Sequence, residues 1–388
     1  MRILLLLLGV VWGSSYAEQL SFIYYREQGR AVFEAIMEQF SQQYHHQVSF
    51  HQITSETLKP ALVKSVMRGT AADVVFAPSD IIGIAEQAKF SEVAIDLVDP
   101  NTPKELLHTA LNKQKLYGIP ILQGNHLMLF YNRRYVSAPA KTWQDLLAQK
   151  AEFDRQGIAT IGWNYTEMYW FAGFYNTFGG RMTDGQDVTL NEPAMQDALN
   201  FYKSLSTRGL VSAACTYDCG YREFIEGKVA YSINGEWSIA DFERRLGDDL
   251  GIALIPKIGQ RTFKPLSSSL VLVFPNNSLS GSKAKALNQL VEYLQSEAVQ
   301  QRLYQEARFL PVNDPVLKQI QSHASANESA MLAQLADTVP MSAESAQSSA
   351  WLGMRKGFEL FNKGLVDAAR ASRYMQTYAE RDYKQSQQ

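Results

Sequence analysis

The chain has 388 residues, a formal charge of −2, and 37 basic against 39 acidic side chains. This near-neutral balance excludes the clustered Lys and Arg surface of a nucleic-acid-binding protein, so no nucleic-acid partner is expected. The length favours two domains over one. With 46% hydrophobic residues, 11% of all residues being aromatic, the chain can build a sizeable core.

The first residues, MRILLLLLGVVWGSSYAEQ, have the pattern of a secretory signal. A basic Arg2 precedes an apolar run at residues 3–12, and a small-x-small cleavage site follows at Ser15-Tyr16-Ala17. The run is too short to span a bilayer permanently, and no later stretch is long and apolar enough to do so. We therefore expect a signal peptide at residues 1–17 and an exported, soluble product.

The first part of the chain alternates predicted strands with amphipathic helices. Such alternation favours an α/β fold with parallel strands. The periodicity predicts strands at residues 20–25, 47–52 and 73–77, helices at 31–44 and 58–67, and a short helix after Pro78-Ser79-Asp80.

The rest of the chain continues with strands and longer helices. Thr142 is expected to cap a helix at residues 143–150, and Asn191 to cap the helix that begins near Pro193 and is closed by Gly209. Residues 116–131 contain two apolar segments. Apolar patterning predicts strands at 228–234, 250–256 and 269–274, one long helix at 283–306, and a helical pair at 347–382 broken near 362–364.

Two cysteines, Cys215 and Cys219, lie in the segment CTYDC. In an exported protein a local disulfide is favoured over free thiols. A metal site is disfavoured, because no His is near them in sequence and the six His of the chain show no ligand spacing. No metal or other cofactor is expected.

The most informative stretch is residues 161–171, IGWNYTEMYWF. It places five aromatic rings beside one carboxylate, Glu167: Trp163, Tyr165, Tyr169, Trp170 and Phe171. A core would favour the rings without the carboxylate, and a solvated loop the carboxylate without the rings. A pocket for a ligand that is partly apolar and partly hydroxylated accounts for both.

Three further features complete the pattern. Residues 77–80 and 234–237 follow predicted strands, where open α/β sheets bind ligands, and Trp351 precedes a helical stripe. Taken singly, Trp237 or Trp351 would more often be core, Asp80 a helix cap and Tyr217 a packing residue. Their joint occurrence favours a binding site.

Aromatic faces with carboxylates suit a carbohydrate, whose apolar ring faces lie on aromatic rings and whose hydroxyls hydrogen bond to carboxylates. The nucleotide and nucleophile motifs GxGxxG, GxxxxGK[ST] and GxSxG are absent. Glycoside hydrolysis by two carboxylates among Asp80, Glu167 and Glu236 stays as an alternative. Another alternative is the same fold with a different solute, such as a polyol phosphate, an opine-like molecule or a metal chelate.

Several segments, in this order, resemble bacterial extracellular solute-binding proteins of ABC importers, and most closely the maltose/maltodextrin-binding branch. They are DVVFAPSD, YGIP with LMLFYN, KTWQDL, FIEGKVAYSINGEW, FLPV and the segment at Trp351. The resemblance implies a monomeric, non-enzymatic periplasmic protein that closes on an oligosaccharide, with maltose or a maltodextrin the leading candidate. It would deliver the ligand to a membrane permease, although a sugar-sensing role stays open.

The implied fold is an α/β periplasmic-binding-protein fold with a ligand cleft between two discontinuous lobes. One lobe would comprise residues 18–124 and 270–320, and the other residues 125–269 and 321–388. Hinge segments are expected near residues 124–126, 265–269 and 311–321.

Matching the family's sugar contacts one by one gives a set of ligand-binding residues. They are Asp80, Glu167, Tyr169, Trp170, Tyr217, Trp237 and Trp351, to which we add Asn125 where the family has Glu. Two other positions depart from the family: Ala77 replaces a stacking Trp, and Ile81 replaces an Arg. Tyr24, Tyr25 and Arg26 lie near the family's contact after the first strand.

Overall fold

The computed structural model describes residues 18–386, so the predicted signal peptide lies outside the described residues. The strands are β1 (Gln19–Tyr24), β2 (Gln47–Gln52), β3 (Val74–Pro78), β4 (Leu111–Asn112), β5 (Lys115–Leu116), β6 (Ile119–Gln123), β7 (Leu127–Asn132), β8 (Ala159–Gly162), β9 (Thr183–Asp184), β10 (Asp187–Val188), β11 (Val229–Gly235), β12 (Leu250–Ala253), β13 (Leu266–Ser267), β14 (Leu270–Val273), β15 (Leu310–Pro311) and β16 (Val339–Pro340).

Helices pack on both sheets and make up most of the final third of the chain. The α-helices are α1 (Arg30–Tyr44), α2 (Ser55–Met67), α3 (Lys104–His108), α4 (Trp143–Arg155), α5 (Met168–Thr177), α6 (Pro193–Thr207), α7 (Tyr217–Gly220), α8 (Arg222–Ile225), α9 (Ile239–Leu246), α10 (Ala284–Gln295), α11 (Glu297–Ala307), α12 (Asp314–Ser322), α13 (Ala326–Ala336), α14 (Ser345–Asn362) and α15 (Ala368–Ser386). Short 3-10 helices lie at Ser79–Ile84, Ile95–Leu97, Glu236–Ser238, Gly247–Asp249 and Pro275–Ser280.

Two sheets organise the molecule. The larger has the order β15-β6-β14-β3-β1-β2, with β1 parallel to both β2 and β3, and with β14 antiparallel to β3 and β6. The smaller has the order β12-β7-β11-β8, with β11 parallel to β8 and antiparallel to β7. The prediction of an α/β fold with parallel strands at the start of the chain is confirmed.

Each sheet has its own apolar core. Helix α1 supplies Phe33, Ile36, Met37 and Phe40 to the first core, all on the stripe that its periodicity predicts. The second core lies around α5, α6, α14 and α15. A smaller cluster on β7 and β12 also includes Tyr304 and Leu310, which come from the α11–β15 region beside the first sheet.

The chain passes from the first sheet to the second between β6 and β7, and returns between β13 and β14. At the first passage Gly124 has φ +107° and Asn125 φ 46°, both positive. At the second, the Ser268 amide donates to the Gly124 carbonyl at 3.0 Å. The two passages therefore run side by side and are held together by backbone hydrogen bonding.

Local sequence signals explain many element ends. The Thr142 hydroxyl accepts from the Asp145 amide at 3.2 Å, while the Asp145 carboxylate accepts from the Thr142 amide at 2.9 Å. This capping box confirms the predicted start of α4. The predicted break in the C-terminal helical pair is also confirmed, because α14 ends at Asn362 and Gly364 follows with φ +70°.

Two element predictions are wrong. Helix α6 is preceded by Glu192 as its N-cap, not by Asn191, and no side chain caps it. The long helix expected at residues 283–306 is two helices, α10 and α11, because Ser296 adopts an extended conformation with ψ 144° between them.

The last two helices pack closely. A Cβ placed on Gly353 of α14 would lie 2.5 Å from the Met375 carbonyl oxygen and 2.7 Å from the Ala379 Cβ of α15. Glycine is therefore what allows this approach. Across residues 18–386, no helix has both the length and the apolar character that a membrane crossing requires.

Candidate functional site

Glu167 lies between β8 and α5, at the start of the helix. It is the N-cap residue, and its side chain accepts from the Tyr169 amide at 3.4 Å. A carboxylate in this position satisfies a free N–H of the first helical turn and is stabilised by the helix dipole. Its first identifiable role is therefore to begin α5, and hydrogen bonding to a ligand hydroxyl stays a prediction.

Part of the aromatic stretch around Glu167 belongs to the core. Trp163 is fully buried, with its Nε1 donating to the Tyr202 hydroxyl at 2.8 Å. Tyr165 stacks on Tyr202 with ring centroids 4.3 Å apart, and Phe171 stacks on Phe358 at 4.6 Å. The expectation that all five rings of residues 161–171 surround one pocket is therefore wrong for these three.

The remaining rings of the prediction do come together. Tyr169 has ring centroids 6.0 Å from Trp170, 6.2 Å from Trp237 and 6.3 Å from Trp351. Trp170 lies in turn 6.2 Å from Tyr217 and 6.4 Å from Trp237. We call this set the five-ring cluster: Tyr169, Trp170, Tyr217, Trp237 and Trp351.

Four separate elements supply the cluster: α5, α7, the 3-10 helix after β11, and α14. Trp170 is 6% exposed, and its Nε1 donates to the Ile233 carbonyl at 2.8 Å, which anchors α5 on β11. Trp237 Nε1 donates to the Tyr217 hydroxyl at 3.3 Å. Except for Trp170, the rings are only partly buried, so aromatic surface remains available for contact.

The disulfide joins Cys215 to Cys219 and closes the short loop that contains Tyr217. It fixes the segment at the edge of the five-ring cluster. Within residues 18–386, no group of three or more His, Cys, Asp or Glu side chains is arranged to hold a metal ion.

On the first sheet, Asp80 lies in the 3-10 helix that follows β3. Its carboxylate pairs with Lys59 Nζ at 2.7 Å, and its side chain is 28% exposed. Ala77 and Ile81 are buried in the first core, 0% and 2% exposed. The two departures from the family pattern are thus core positions in this chain.

Asn125 lies where the two passages between the sheets meet. Its side chain donates to the Ser268 hydroxyl at 2.8 Å, and its carbonyl accepts from the Tyr169 hydroxyl. The five-ring cluster is therefore tied directly to the passage that joins the sheets.

A buried charged pair lies at this same junction. Arg26 follows β1 and Glu236 follows β11, with Nη1 and Oε1 3.8 Å apart and side chains 8% and 2% exposed. Burial raises the pKa of Glu236 to about 7, although the charge of Arg26 acts in the opposite direction. The guanidinium lies over the rings of Phe309 at 4.3 Å and Tyr25 at 5.3 Å.

From the sequence, Glu236 is only one of three candidate carboxylates for hydrolysis. Arg26 is noted only because it lies near the family's sugar contact after the first strand. The signal for Arg26 was its place directly after the buried first strand, where ligand-binding residues of α/β sheets gather. His126, also buried here, donates from Nε2 to the Met331 carbonyl at 3.2 Å. Burial lowers its pKa to about 4.

Two α/β units, side-by-side connecting segments and an aromatic cluster beside them define the two-lobed class of ligand-binding proteins. The model of the bacterial extracellular solute-binding protein family matches residues 35–352. The chain belongs to this family, which consists of solute-binding proteins rather than enzymes.

Individual relatives agree with this assignment. The chain is 24% identical over 304 residues to the maltodextrin-binding protein MdxE of Bacillus subtilis, covering 74% of this chain and 71% of the relative. It is 25% identical over 214 residues to a maltotriose-binding protein of Pyrococcus abyssi, covering 52% of this chain and 45% of that protein.

Among solved structures, the maltose/maltodextrin-binding domain MalE from Bdellovibrio bacteriovorus, bound to maltotriose, matches with a TM-score of 0.85 and 24% identity. The match covers 94% of this chain and all of that one. The periplasmic-binding-protein fold predicted from the sequence, with a cleft between two lobes, is confirmed.

Proposed function

We propose that this protein binds an oligosaccharide of the maltodextrin type in the cleft between its lobes. The observation that carries the proposal is the five-ring cluster, whose partly buried rings lie beside buried and half-buried carboxylates. Sugar rings have apolar faces that pack on aromatic rings, and their hydroxyls need charged or polar partners. Relatives that bind maltodextrin or maltotriose support this choice of ligand.

We further propose that the protein is the periplasmic component of an ABC sugar importer and delivers its ligand to a membrane permease. Family membership and the signal pattern at residues 1–17 support this. The lobes would divide at residues 124/125, 269/270 and 320/321. The passages between the sheets at the first two of these points support that division.

No catalytic step is part of the proposal. Of the three carboxylates considered for hydrolysis, Asp80 pairs with Lys59, Glu167 caps α5 and Glu236 lies beside Arg26. A binding protein uses such groups as hydrogen-bond acceptors without chemistry. Incubating maltotriose with the protein should leave it intact, and shortened products that disappear in Glu236→Gln would instead establish hydrolysis.

The binding test follows tryptophan fluorescence of the protein, purified without residues 1–17, during titration with maltose, maltotriose and longer glucans. A saturable change is expected for at least one of them. Trp237→Ala should weaken binding by about tenfold or more, because the variant loses both the buried apolar area of the ring and about 0.5–1.5 kcal/mol of aromatic contact in addition.

The matched control is Tyr374→Ala, on α15 and 42% exposed. It removes an accessible ring outside the five-ring cluster and should leave the dissociation constant within about twofold of the wild-type value. If none of the glucans changes the fluorescence of the wild type, the proposed ligand class is wrong. Unchanged affinity in Trp237→Ala would overturn the proposed place of binding.

A further inference from the structure

The charged pair of Arg26 and Glu236 connects elements of the two sheets. Arg26 follows β1 of the first sheet, whereas Glu236 follows β11 of the second. Both side chains are more than nine-tenths buried, and their nearest charged atoms, Nη1 and Oε1, are 3.8 Å apart. That separation is too long for a hydrogen bond.

The pair carries buried hydrogen-bonding capacity that the protein does not use. Within residues 18–386, Arg26 Nε and Nη2 and Glu236 Oε2 have no hydrogen-bond partner. An unpartnered buried polar atom destabilises the folded state, and more so when the group is charged. Unused donors and an unused acceptor so close together therefore need an explanation beyond folding.

Two aromatic rings restrain the Arg26 guanidinium. The rings of Phe309 and Tyr25 lie 4.3 Å and 5.3 Å from the guanidinium carbon. Cation–π contacts of this kind restrict the positions that the guanidinium can take. The donors are thus positioned before any ligand arrives.

The pair adjoins the five-ring cluster. Glu236 directly precedes Trp237, and its carboxylate faces the backbone amides of Asn125 and His126. The Tyr169 hydroxyl donates to the carbonyl of the same Asn125. Burial raises the pKa of Tyr169; the charge of Glu236 raises it further and that of Arg26 lowers it, so both charged groups lie within electrostatic range of this ring.

The chemistry of the pair selects the group it can bind. It offers N–H donors from one lobe and a carboxylate acceptor from the other, with no net charge when both are ionised. An anionic group would satisfy Arg26 but be repelled by Glu236, and a cationic group would do the reverse. A hydroxyl both accepts and donates, and neighbouring sugar hydroxyls can use both partners at once.

We propose that Arg26 and Glu236 form a polar binding site at the bottom of the cleft, which takes a neutral pair of neighbouring sugar hydroxyls between the two lobes. This assignment rests on the proposed oligosaccharide function. It adds which residues select the hydroxyl groups of the ligand. A bound hydroxyl pair completes the hydrogen bonds of both side chains. It therefore also links the lobes.

The test is calorimetric titration of maltotriose into the wild type, Glu236→Gln and Arg26→Lys at pH 7.5. Glu236→Gln preserves size but replaces one acceptor oxygen with a donor, and Arg26→Lys preserves charge but loses the planar donors. Each should raise the dissociation constant about 10- to 100-fold, as expected for a hydrogen bond to a charged group.

The matched control is Glu243→Gln. Glu243 pairs with Arg308 at 2.8 Å and also connects elements of the two lobes, α9 and the end of α11, outside the five-ring cluster. Its loss tests whether severing any pair between lobes changes affinity. We expect the dissociation constant of this variant to stay within about threefold of the wild-type value.

A second measurement separates contact with the ligand from structural support. Singly deoxygenated maltotrioses are titrated into the wild type and Glu236→Gln, with melting curves confirming that each variant folds. The analogue lacking the bridging hydroxyl should lose affinity in the wild type and lose little further in Glu236→Gln, because the two changes remove the same contact.

Three outcomes overturn the assignment. If both variants bind maltotriose within threefold of the wild type, or if no deoxygenated analogue couples to Glu236→Gln, the pair is not a ligand site although the sugar function stands. If the wild type binds no glucan, the function and this assignment both fall. If Arg26→Lys does not fold, the titrations of deoxygenated maltotrioses into the wild type and Glu236→Gln decide the assignment on their own.

Discussion

Glu236 and His126 should give the protein two opposing pH dependences of stability. Burial raises the pKa of Glu236 from 4.5 to about 7 in the folded state. Between these values the folded protein binds a proton that the unfolded chain releases, so the unfolding free energy falls as pH rises from 4.5 to 7. A shift of this size corresponds to about 3 kcal/mol.

His126 acts with the opposite sign. Its pKa falls from 6.5 to about 4, so the unfolded chain binds a proton that the folded state excludes. Its contribution to stability is complete above pH 6.5 and is lost as the pH falls towards 4, again by about 3 kcal/mol. In the wild type the two trends largely offset each other between pH 4.5 and 6.5.

Single substitutions should separate the two trends. The unfolding free energy of Glu236→Gln minus that of the wild type should rise by about 3 kcal/mol as pH rises from 4.5 to 7. For His126→Gln, the same difference from the wild type should fall by a similar amount as pH rises from 4 to 6.5. Urea unfolding followed by tryptophan fluorescence at several pH values measures both. Differences from the wild type that do not change with pH would refute the reasoning.

Three further changes test the fold around the site. Thr142→Ala removes the capping box of α4 and should lower the unfolding free energy by about 1 kcal/mol, measured by urea unfolding; no change would contradict the capping role. Cys219→Ser opens the loop around Tyr217 and should cost about 2 kcal/mol in stability and weaken maltotriose binding several-fold, whereas wild-type affinity would show that the loop needs no closure. Gly353→Ala should lower the melting temperature, because its Cβ would meet the Met375 carbonyl at 2.5 Å; a rise, as helix propensity alone predicts, would refute the close packing.

Elements with a clear period or cap were predictable from the sequence. The strand at Gln47–Gln52 and the capping box at Thr142 depend on neighbouring residues only. The break at Ser296 was not predictable, because the apolar stripe continues on both sides and a single extended residue leaves no trace in the period. The choice of Glu192 over Asn191 before α6 likewise depends on backbone angles that two adjacent polar residues do not reveal.

The aromatic composition of the candidate site was predictable, but the sorting of its rings was not. Trp163 and Trp170 are seven residues apart on one stretch, yet one hydrogen bonds within the core and the other lies in the five-ring cluster. Which ring faces which way depends on where α5 begins and on the helices packed against it. The identity of the cluster therefore required the fold.

The charged pair illustrates a second limit. Arg26 and Glu236 are far apart in sequence, and each has a simple local explanation as a polar residue after a strand. Their meeting at the junction of the lobes depends on how the two sheets are joined. The sequence does not show that the two residues are neighbours, so neither one indicates a neutral, paired polar site.

The position of maltotriose in a crystal structure of the complex tests the central claim most directly. We predict that its sugar rings lie against Trp237 and Trp351 of the five-ring cluster, with neighbouring hydroxyls between Arg26 and Glu236. Maltotriose bound elsewhere, such as the groove of about 360 Å³ that includes His51 and Leu62, would contradict the account, as would its absence from the cleft at saturating concentration.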